Sequence, residues 1–261
     1  MVEQELSKAA QAARLLLAVR RGAARISALP AALAPRDLAG AYSIQLALLE
    51  QMGSDIAGWK ASLFEGDDGA CAPLPANAVI DAPAYTQVLR PPMLDPAPYG
   101  IEAEVAFRLG RDLPPLAAGA RYDREAVCAA IVSAHAVIEV VASRFVNVDA
   151  VSKLELIADQ LINSLLVVGP SFPNWQSLPL TALRLEVRVQ GHPVHQGVGG
   201  HPQGDPLIPL VWLANHLSQY GRGLRAGELI TTGSCCPVHW VAAEQSATAH
   251  FAGLGSAVVT F

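Results

Sequence analysis

Three glutamates stand at positions where a protein rarely keeps an isolated acid. Glu102 and Glu104 lie in the run Ile101-Glu-Ala-Glu-Val-Ala-Phe107, and side chains two residues apart on a strand point to the same face. Glu139 stands alone in the apolar run Val137-Ile-Glu-Val-Val141. An ionised carboxylate is costly to bury without a partner, and two neighbouring carboxylates repel unless a cation lies between them. These positions therefore predict a bound cation.

One divalent ion would account for all three acids if their side chains converge. An all-oxygen set of ligands favours Mg2+ or Mn2+ over zinc. The residues alone leave a second interpretation open. In that interpretation Glu102 and Glu104 lie on the solvent face of an amphipathic strand, and Glu139 pairs with Arg144 or another arginine.

The elements that must position these acids form a β-rich pattern with a few helices. Residues 3 to about 26 predict an amphipathic helix, and Asp37 predicts the N-cap of a second helix that ends at Gly53. The arginines of the first stretch are interpreted as a solvated helix face: Arg14, Arg20, Arg21 and Arg25. Further helices are predicted from Asp123 through Ala134 and from Asp205 to Tyr220, and strands at 101–109, 137–141, 165–168, 183–190, 228–232 and 257–261.

Residues 64–100 are predicted to be mostly loop, because they contain Gly66, Gly69 and seven prolines between Pro73 and Pro98. A loop of this length inside a domain often serves as a lid or a binding segment.

Composition restricts the class of protein. The 261 residues suffice for one large domain, or for a domain with a helical appendage. A net charge of -5 argues against a nucleic-acid partner, and no run approaches the roughly 20 apolar residues of a membrane span. Four cysteines without a CxxC pair fit a reducing cytoplasm, so we expect a soluble, cytoplasmic protein.

Several stretches together resemble one known family. The string Ile101-Glu-Ala-Glu-Val-Ala-Phe-Arg-Leu-Gly-Arg-Asp-Leu113 resembles the metal-binding strand of the 2-keto-4-pentenoate hydratase / 4-oxalocrotonate decarboxylase family, within the fumarylacetoacetate hydrolase superfamily. The other similar stretches follow in the same order: Ala41-Tyr-Ser-Ile-Gln45, Gly58-Trp-Lys60, Ile138-Glu139 with Ser143-Arg144, Ala158-Asp159, Val211-Trp-Leu-Ala-Asn215 and the segment 223–234. The resemblance covers nearly the whole chain.

The resemblance implies an α+β fold, with a β-rich, mixed rolled sheet in residues 58–261 and an N-terminal helical segment in residues 1–57. It implies that Mg2+ or Mn2+ is held by Glu102, Glu104 and Glu139 and takes up the oxygens of a small 2-oxo acid.

The resemblance also implies roles for five further residues. Lys60 would lie beside the substrate in an electrostatic or proton-transfer role, with a pKa lowered by partial desolvation near the metal. Asp159 would orient a lysine or a metal-bound water, or cap a turn. Contacts to the substrate are implied for Ser62, Thr232 and Gly233.

The sequence departs from the family pattern at three places. Gln160-Leu-Ile-Asn163 follow Asp159 where small residues and a serine are expected, and Ser164 is displaced. Ala61-Ser-Leu-Phe64 replaces a stretch that contains Thr and Ser. Any acid contributed by the 64–100 segment has only candidates: Asp67, Asp68 and Asp81.

The leading functional prediction is a metal-dependent lyase that hydrates a 2-hydroxy-2,4-dienoate to a 4-hydroxy-2-oxo acid in the breakdown of aromatic compounds. The alternatives are a 2-oxo-diacid decarboxylase, an acylpyruvate-type C–C hydrolase, and a member that binds 2-oxo acids without catalysis. The high apolar content, 52% of the residues, and the broad resemblance predict a homo-oligomer.

Overall fold

The computed structural model describes residues 7–64, 68–81 and 99–261. Within these ranges the chain forms helices on a mixed, β-rich scaffold, so the predicted α+β class is confirmed. None of the helices in these ranges is long and apolar enough to cross a membrane. The elements are α1 Lys8–Arg20, α2 Leu38–Met52, β1 Ile56–Leu63, β2 Gly69–Pro75, β3 Val79–Asp81, β4 Tyr99–Leu109, α3 Arg124–Ala130, β5 Ile131–Val141, α4 Lys153–Ala158, β6 Asn163–Val168, β7 Arg184–Val189, β8 His192–Val198, α5 Leu207–Gln219, β9 Leu229–Ser234, β10 His239–Val241, β11 Ser246–Phe251 and β12 Gly255–Thr260.

The larger sheet is rolled. Its strands follow the order β2-β1-β9-β4-β5-β6-β3, with β10 paired to β4. One face packs on a smaller sheet of order β12-β11-β7-β8 through the main apolar core. On the other face, Leu74 of β2 and Val79 beside β6 belong to one small apolar cluster, although their strands lie at opposite ends of the strand order. The sheet therefore curls around an interior, as predicted.

Strand β9 joins the two halves of this sheet. It runs parallel to β1 and antiparallel to β4, and its register places Thr231 beside Lys60. The two backbones approach so closely at Gly58 that a Cβ there would lie 1.9 Å from the carbonyl oxygen of Leu229. Only glycine fits this position, which explains the glycine two residues before Lys60.

The first two helices pack against each other and against Phe145 and Ile157. The helix predicted from Asp37 to Gly53 is confirmed: Asp37 caps the amide of Gly40, and Gly53 adopts a left-handed conformation at the C-cap. The helix predicted over residues 3–26 ends earlier, at Arg20, before Gly22 with its φ of 101°. Interpreting Arg20 as solvated was wrong, because its side chain is buried.

The predicted loop over residues 64–100 is wrong where the structure describes it. Residues 69–75 form β2 and residues 79–81 form β3, while Tyr99 and Gly100 already belong to β4. The prolines misled the prediction because β2 lies at the end of the strand order, and an edge strand tolerates residues that cannot donate a hydrogen bond. Residues 82–98 lie outside the described ranges.

The helix predicted from Asp123 to Ala134 is also too long. Asp123 does cap α3, but Ile131 opens β5, which pairs with β4 along its whole length. The β-branched pair Ile131-Val132 and the tertiary pairing favour the strand over the helical continuation. The other predicted elements are confirmed to within a few residues at their ends: 101–109 in β4, 137–141 in β5, 165–168 in β6, 183–190 as β7, 205–220 as α5, 228–232 in β9 and 257–261 in β12.

Candidate metal centre

The three glutamates meet on the interior face of the rolled sheet. Strands β4 and β5 pair antiparallel with Glu102 directly opposite Glu139, and Glu104 follows two residues later on the same face. Each side chain offers one carboxylate oxygen such that the three oxygens lie within 4.8 Å of one another. We call these three residues the carboxylate cluster. Like charges directly opposite each other destabilise a strand pair, so this register needs a compensating cation.

The protein satisfies one oxygen of each fully buried carboxylate and leaves the other free. The backbone amide of Gly233 donates to Glu104 Oε2 at 3.0 Å. Lys60 Nζ and Asn163 Nδ2 donate to Glu139 Oε1 at 2.8 Å and 2.9 Å. Among the described residues, Glu104 Oε1 and Glu139 Oε2 have no hydrogen-bond partner. A buried acceptor without a donor is costly, so these two oxygens fit a hard cation.

The charges at this place do not balance within the protein. Lys60 Nζ lies 2.8 Å from Glu139 and 3.8 Å from Glu102, so three carboxylates face one ammonium, and their full ionisation would leave two negative charges uncompensated. Burial, followed by the charge of Glu139, raises the pKa of Glu104 well above its usual range. Burial likewise raises the pKa of Glu102, against the opposing charge of Lys60. A divalent cation would remove this excess charge.

The lowering of the Lys60 pKa beside a bound metal stays a prediction, and the groups of the protein alone shift this pKa in the opposite direction. Burial does lower the pKa of the ammonium, but the charges of the carboxylate cluster outweigh burial and raise the pKa above its ordinary value. Lys60 is therefore charged at neutral pH. Two of its three N–H groups are directed to Glu139 and to the carbonyl oxygen of Leu161, at 2.8 Å and 3.2 Å.

The solvent-face interpretation of the acids is wrong. The side chain of Glu102 is 20% exposed and that of Glu139 is fully buried, while Glu104 is also fully buried. The charged partner of Glu139 is Lys60, and Arg144 pairs instead with Asp159.

Asp159 belongs to a second buried group of charges. Its carboxylate accepts hydrogen bonds from Nε and the backbone amide of Arg144. Arg20, at the end of α1, and Arg144 both donate to the carbonyl oxygen of Asn163. We call Arg20, Arg144 and Asp159 the guanidinium cluster. Burial, with the charge of Arg144 second, lowers the pKa of Arg20 to about 9, and burial raises the pKa of Asp159.

Three consecutive residues beside this cluster adopt left-handed backbone conformations. Gln160, Leu161 and Ile162 have φ values of 54°, 51° and 56°, which are strained for side chains other than glycine. The turn directs the carbonyl oxygen of Leu161 to Lys60 and the amide group of Asn163 to Glu139. Asp159 supports this turn through Arg144, which donates to its carboxylate and its carbonyl oxygen and also to the carbonyl oxygen of Asn163. In the sequence, residues 160–163 stand out only as a departure from the family pattern. No local signal marks Arg20 or Asn163 as part of the site.

The predicted substrate contacts occupy different environments. Ser62 lies on the same face of β1 as Lys60 and is partly exposed. Gly233, with a φ of 114°, turns its amide to Glu104. The hydroxyl of Thr232 is already donated to the carbonyl oxygen of Val105, whereas the buried hydroxyl of Thr231 has no partner among the described residues. Thr231 was not singled out from the sequence.

The acid candidates from the 64–100 segment do not join the cluster. Asp68 pairs with Lys153, and Asp81 pairs with Arg108. Asp67 lies outside the described residues.

Most of the chain is similar to known proteins. Residues 74–261 match the family model described as the fumarylacetoacetate hydrolase C-terminal region. The chain is 34% identical over 161 residues, 62% of its length, to the TodF product hydratase of Pseudomonas putida F1, and this match covers 58% of that relative. It is 29% identical over 204 residues to the 2-hydroxyhexa-2,4-dienoate hydratase of Comamonas testosteroni, covering 78% of this chain and 69% of the relative.

A solved structure covers the chain more completely. The 4-oxalocrotonate decarboxylase of Pseudomonas putida G7, complexed with magnesium and adipate, aligns with a TM-score of 0.80 at 21% sequence identity. The alignment covers 99% of this chain and 100% of the decarboxylase chain. This likeness establishes a shared fold.

Proposed function

The chain belongs to the fumarylacetoacetate hydrolase family, and from that premise we propose that it is a divalent-metal-dependent lyase acting on a small 2-oxo acid. The reaction is the hydration of a 2-hydroxy-2,4-dienoate to a 4-hydroxy-2-oxo acid. The hydratase names of the two relatives support this reaction. The matched part of the chain spans 58% of the first relative.

One observation carries the proposal. Among the residues that the structure describes, two fully buried carboxylates each keep one oxygen without a hydrogen-bond partner, and the three carboxylates of the cluster share one ammonium. Glu102, Glu104 and Glu139 would hold Mg2+ or Mn2+ with these oxygens. When bound, the ion would supply a Lewis acid that polarises the 2-oxo group of the substrate. The magnesium in the structure of the decarboxylase supports this choice of metal.

Lys60 would supply a fixed positive charge and one proton. Its ammonium is held by Glu139 and by the carbonyl oxygen of Leu161, so one N–H remains for the substrate or a water molecule. Held in this way, Lys60 would act as an electrostatic partner and as a proton donor to the substrate or to a water molecule. Asp159 would position this lysine indirectly, through Arg144 and the turn at residues 160–162.

The substrate would lie above β1 and β9. Ser62 and Gly233 flank Lys60 and Glu104 on this face, which supports their proposed contacts. The hydroxyl of Thr232 is donated to Val105 and its carbonyl oxygen is bonded to His201, so the hydroxyl of Thr231, which has no partner among the described residues, fits a contact with the substrate better.

A substrate panel tests the reaction. Wild-type protein is incubated with 2-hydroxypenta-2,4-dienoate, 4-oxalocrotonate or an acylpyruvate, in Mg2+ or in EDTA. The masses of the products are measured by mass spectrometry. Hydration adds one water to the dienoate and requires the metal. Loss of CO2 from the oxalocrotonate, or cleavage of the acylpyruvate, would identify the decarboxylase or hydrolase alternative instead.

A matched pair of variants tests the metal ligands. Glu104→Ala should abolish the Mg2+-dependent turnover and the binding of Mn2+ measured by electron paramagnetic resonance. Glu186→Ala is the control, because Glu186 pairs with Arg188 on the smaller sheet. Metal-stimulated turnover that persists in Glu104→Ala would contradict the assignment, and metal binding without turnover of any substrate would favour a non-catalytic binder.

Two coarser expectations accompany the proposal. A cytoplasmic location is supported by four free cysteines, which fit a reducing compartment. A homo-oligomer is supported by the exposed apolar side chains of Val194 and Val198 on β8, which lies at the end of the smaller sheet. Light scattering during gel filtration measures the assembly.

A further inference from the structure

The carboxylate cluster opens to solvent in one direction. Glu104 and Glu139 are fully buried, whereas the side chain of Glu102 is 20% exposed. A substrate that reaches the ion therefore leaves its distal part on the side of Glu102.

The next residues in that direction on the same face are apolar. Gly100 lies two residues before Glu102 on β4, and it is paired with Val141 on β5 and with Trp240 on β10. Residues directly opposite in an antiparallel pair point to the same face, so Trp240 lies on the face of the glutamates. Its neighbours on β10, His239 and Val241, lie opposite Ile101 and Tyr99, which point into the core on the other face.

Three apolar side chains converge over Gly100. A Cβ at Gly100 would lie 2.6 Å from Val141, 3.0 Å from Val238 and 3.3 Å from Trp240. Because residue 100 is a glycine, the side chains of Val238 and Trp240 pack directly against the backbone of β4. Both remain exposed, Val238 by 36% and Trp240 by 64%, immediately beyond the exposed glutamate. We call Val238 and Trp240 the apolar rim.

We propose that the apolar rim binds the distal, uncharged tail of the 2-oxo acid and so selects alkyl or alkenyl tails over tails that end in a second carboxylate. The inference rests on the proposed function, because it requires the head of the substrate to lie at the carboxylate cluster. A large exposed ring adjoining the opening offers apolar area to a tail that would otherwise stay in water.

The charges around the rim favour an uncharged tail. Lys60, the cation of the cluster, is already held by Glu139 and the carbonyl oxygen of Leu161. A second carboxylate placed on the rim would lie beside Glu102 and would exchange its water shell for the faces of a valine and a tryptophan. That exchange is unfavourable without a cationic partner.

Binding of unreactive 2-oxo acids tests the rim without turnover. Titration calorimetry in Mg2+ compares pyruvate, which lacks a tail, with 2-oxohexanoate and 2-oxoadipate, which have six carbons and differ in the terminal carboxylate. We expect the wild type to bind 2-oxohexanoate about tenfold more tightly than pyruvate, from partial burial of its three added methylenes, and more tightly than 2-oxoadipate. In Trp240→Ala this preference over pyruvate should fall to about twofold, while the affinity for pyruvate is unchanged.

Two further variants complete the test. Trp240→Phe should keep most of the preference for 2-oxohexanoate. Val132→Ala is the control, because Val132 is 51% exposed but lies at the opposite end of β5 from Val141, and it should leave the preference unchanged. A preference that is unchanged in Trp240→Ala would overturn the proposal, as would a variant whose assembly dissociates while its preference stays, since the rim would then be a contact between subunits.

The titrations distinguish an error in the rim proposal from an error in the proposed function. If the wild type binds none of the three acids in Mg2+, the metal-dependent function itself is wrong. If it binds pyruvate in Mg2+ but not in EDTA, and Trp240→Ala does not change the preference among the acids, only the rim proposal is lost.

Discussion

Two buried groups of charges lie side by side in this protein, and they differ in what the protein provides for them. The carboxylate cluster has three acids facing one ammonium, and two of its buried oxygens have no partner in the part of the chain that the structure describes. The guanidinium cluster has two arginines and one aspartate, and its excess charge is spread over the carbonyl oxygens of Asn163 and Asp159 and the side chain of Gln160. The atoms without a partner at this place, within the same described ranges, are donors: Arg20 Nε and Gln160 Nε2.

Burial of charge alone therefore does not identify a ligand site. Both clusters are buried and both shift pKa values, but they differ in the size of the excess charge and in how it is shared. The single excess charge of the guanidinium cluster is spread over carbonyl oxygens, whereas full ionisation of the carboxylate cluster leaves two negative charges beside two oxygens that have no partner among the described residues. The guanidinium cluster supports the turn at residues 160–162, which delivers contacts to its neighbour. We propose that the carboxylate cluster binds the ion and that the guanidinium cluster holds the adjoining turn in place.

Removing the ammonium should have the largest effect. In Lys60→Met three carboxylates face no cation from the protein, and the proton donor is gone. We expect kcat in saturating Mg2+ to fall about a thousandfold, in the middle of the range for general acid–base groups. Steady-state kinetics measures the fall, and Lys60→Arg, which keeps the charge, should recover part of it. Activity of Lys60→Met within tenfold of the wild type would remove Lys60 from the reaction.

Breaking the guanidinium cluster should cost stability first. Asp159→Asn leaves Arg20 and Arg144 buried without a carboxylate, and losing one partner of a buried pair destabilises a protein by about 3 kcal/mol or more. Urea unfolding in EDTA measures the loss, with the exposed Asp149→Asn as a control. An Asp159→Asn protein that is as stable as the wild type but inactive would reverse the comparison and make Asp159 a direct participant.

The response to pH should separate the clusters. The folded pKa values of Glu102 and Glu104 lie above their unfolded values, so their contribution to stability is present at low pH and is lost as the pH rises through the folded pKa. In EDTA, the free energy of unfolding should therefore fall between pH 5 and 8, by up to about 1.4 kcal/mol per pH unit for each retained proton.

Asp159 acts in the same direction, because its pKa is also raised, whereas Arg20, with a pKa of about 9, stays charged throughout this range. Glu104→Gln therefore serves as the control and should flatten the fall. Saturating Mg2+ should flatten it too, since a bound cation favours the ionised acids. An equal slope in the wild type and in Glu104→Gln would assign the titration elsewhere.

The smallest effect should come from the contact that links the clusters. Asn163 donates from its side chain to Glu139, and its carbonyl oxygen accepts from both arginines. Asn163→Ala keeps the backbone contacts and removes only the donor, so we expect Mg2+ to bind about tenfold more weakly with little change in stability, as for other residues that orient metal ligands. Calorimetric titration measures the affinity. A large loss of stability would show that the side chain holds the turn instead.

The three glutamates could be singled out from the sequence because the pattern that marks them is local. A period of two places Glu102 and Glu104 on one face, and Glu139 conflicts with its apolar neighbours. The register that sets Glu102 opposite Glu139 is tertiary and could only be inferred from the resemblance. Arg20 was misread because a helical pattern does not reveal what packs on it, and Gln160-Leu-Ile162 carries no local preference for a left-handed turn. The division into residues 1–57 and 58–261 stays a prediction.

The insertion of β9 between β1 and β4 has a consequence for the order of assembly. The lysine-bearing strand and the glutamate-bearing strands are separated until residues 229–234 enter the sheet, and this same segment brings the amide of Gly233 to Glu104. Until residue 233 has emerged from the ribosome, a nascent chain would thus carry all three acids without the lysine beside them. Uptake of the ion then becomes a late event, and its kinetics would time the closure of the sheet.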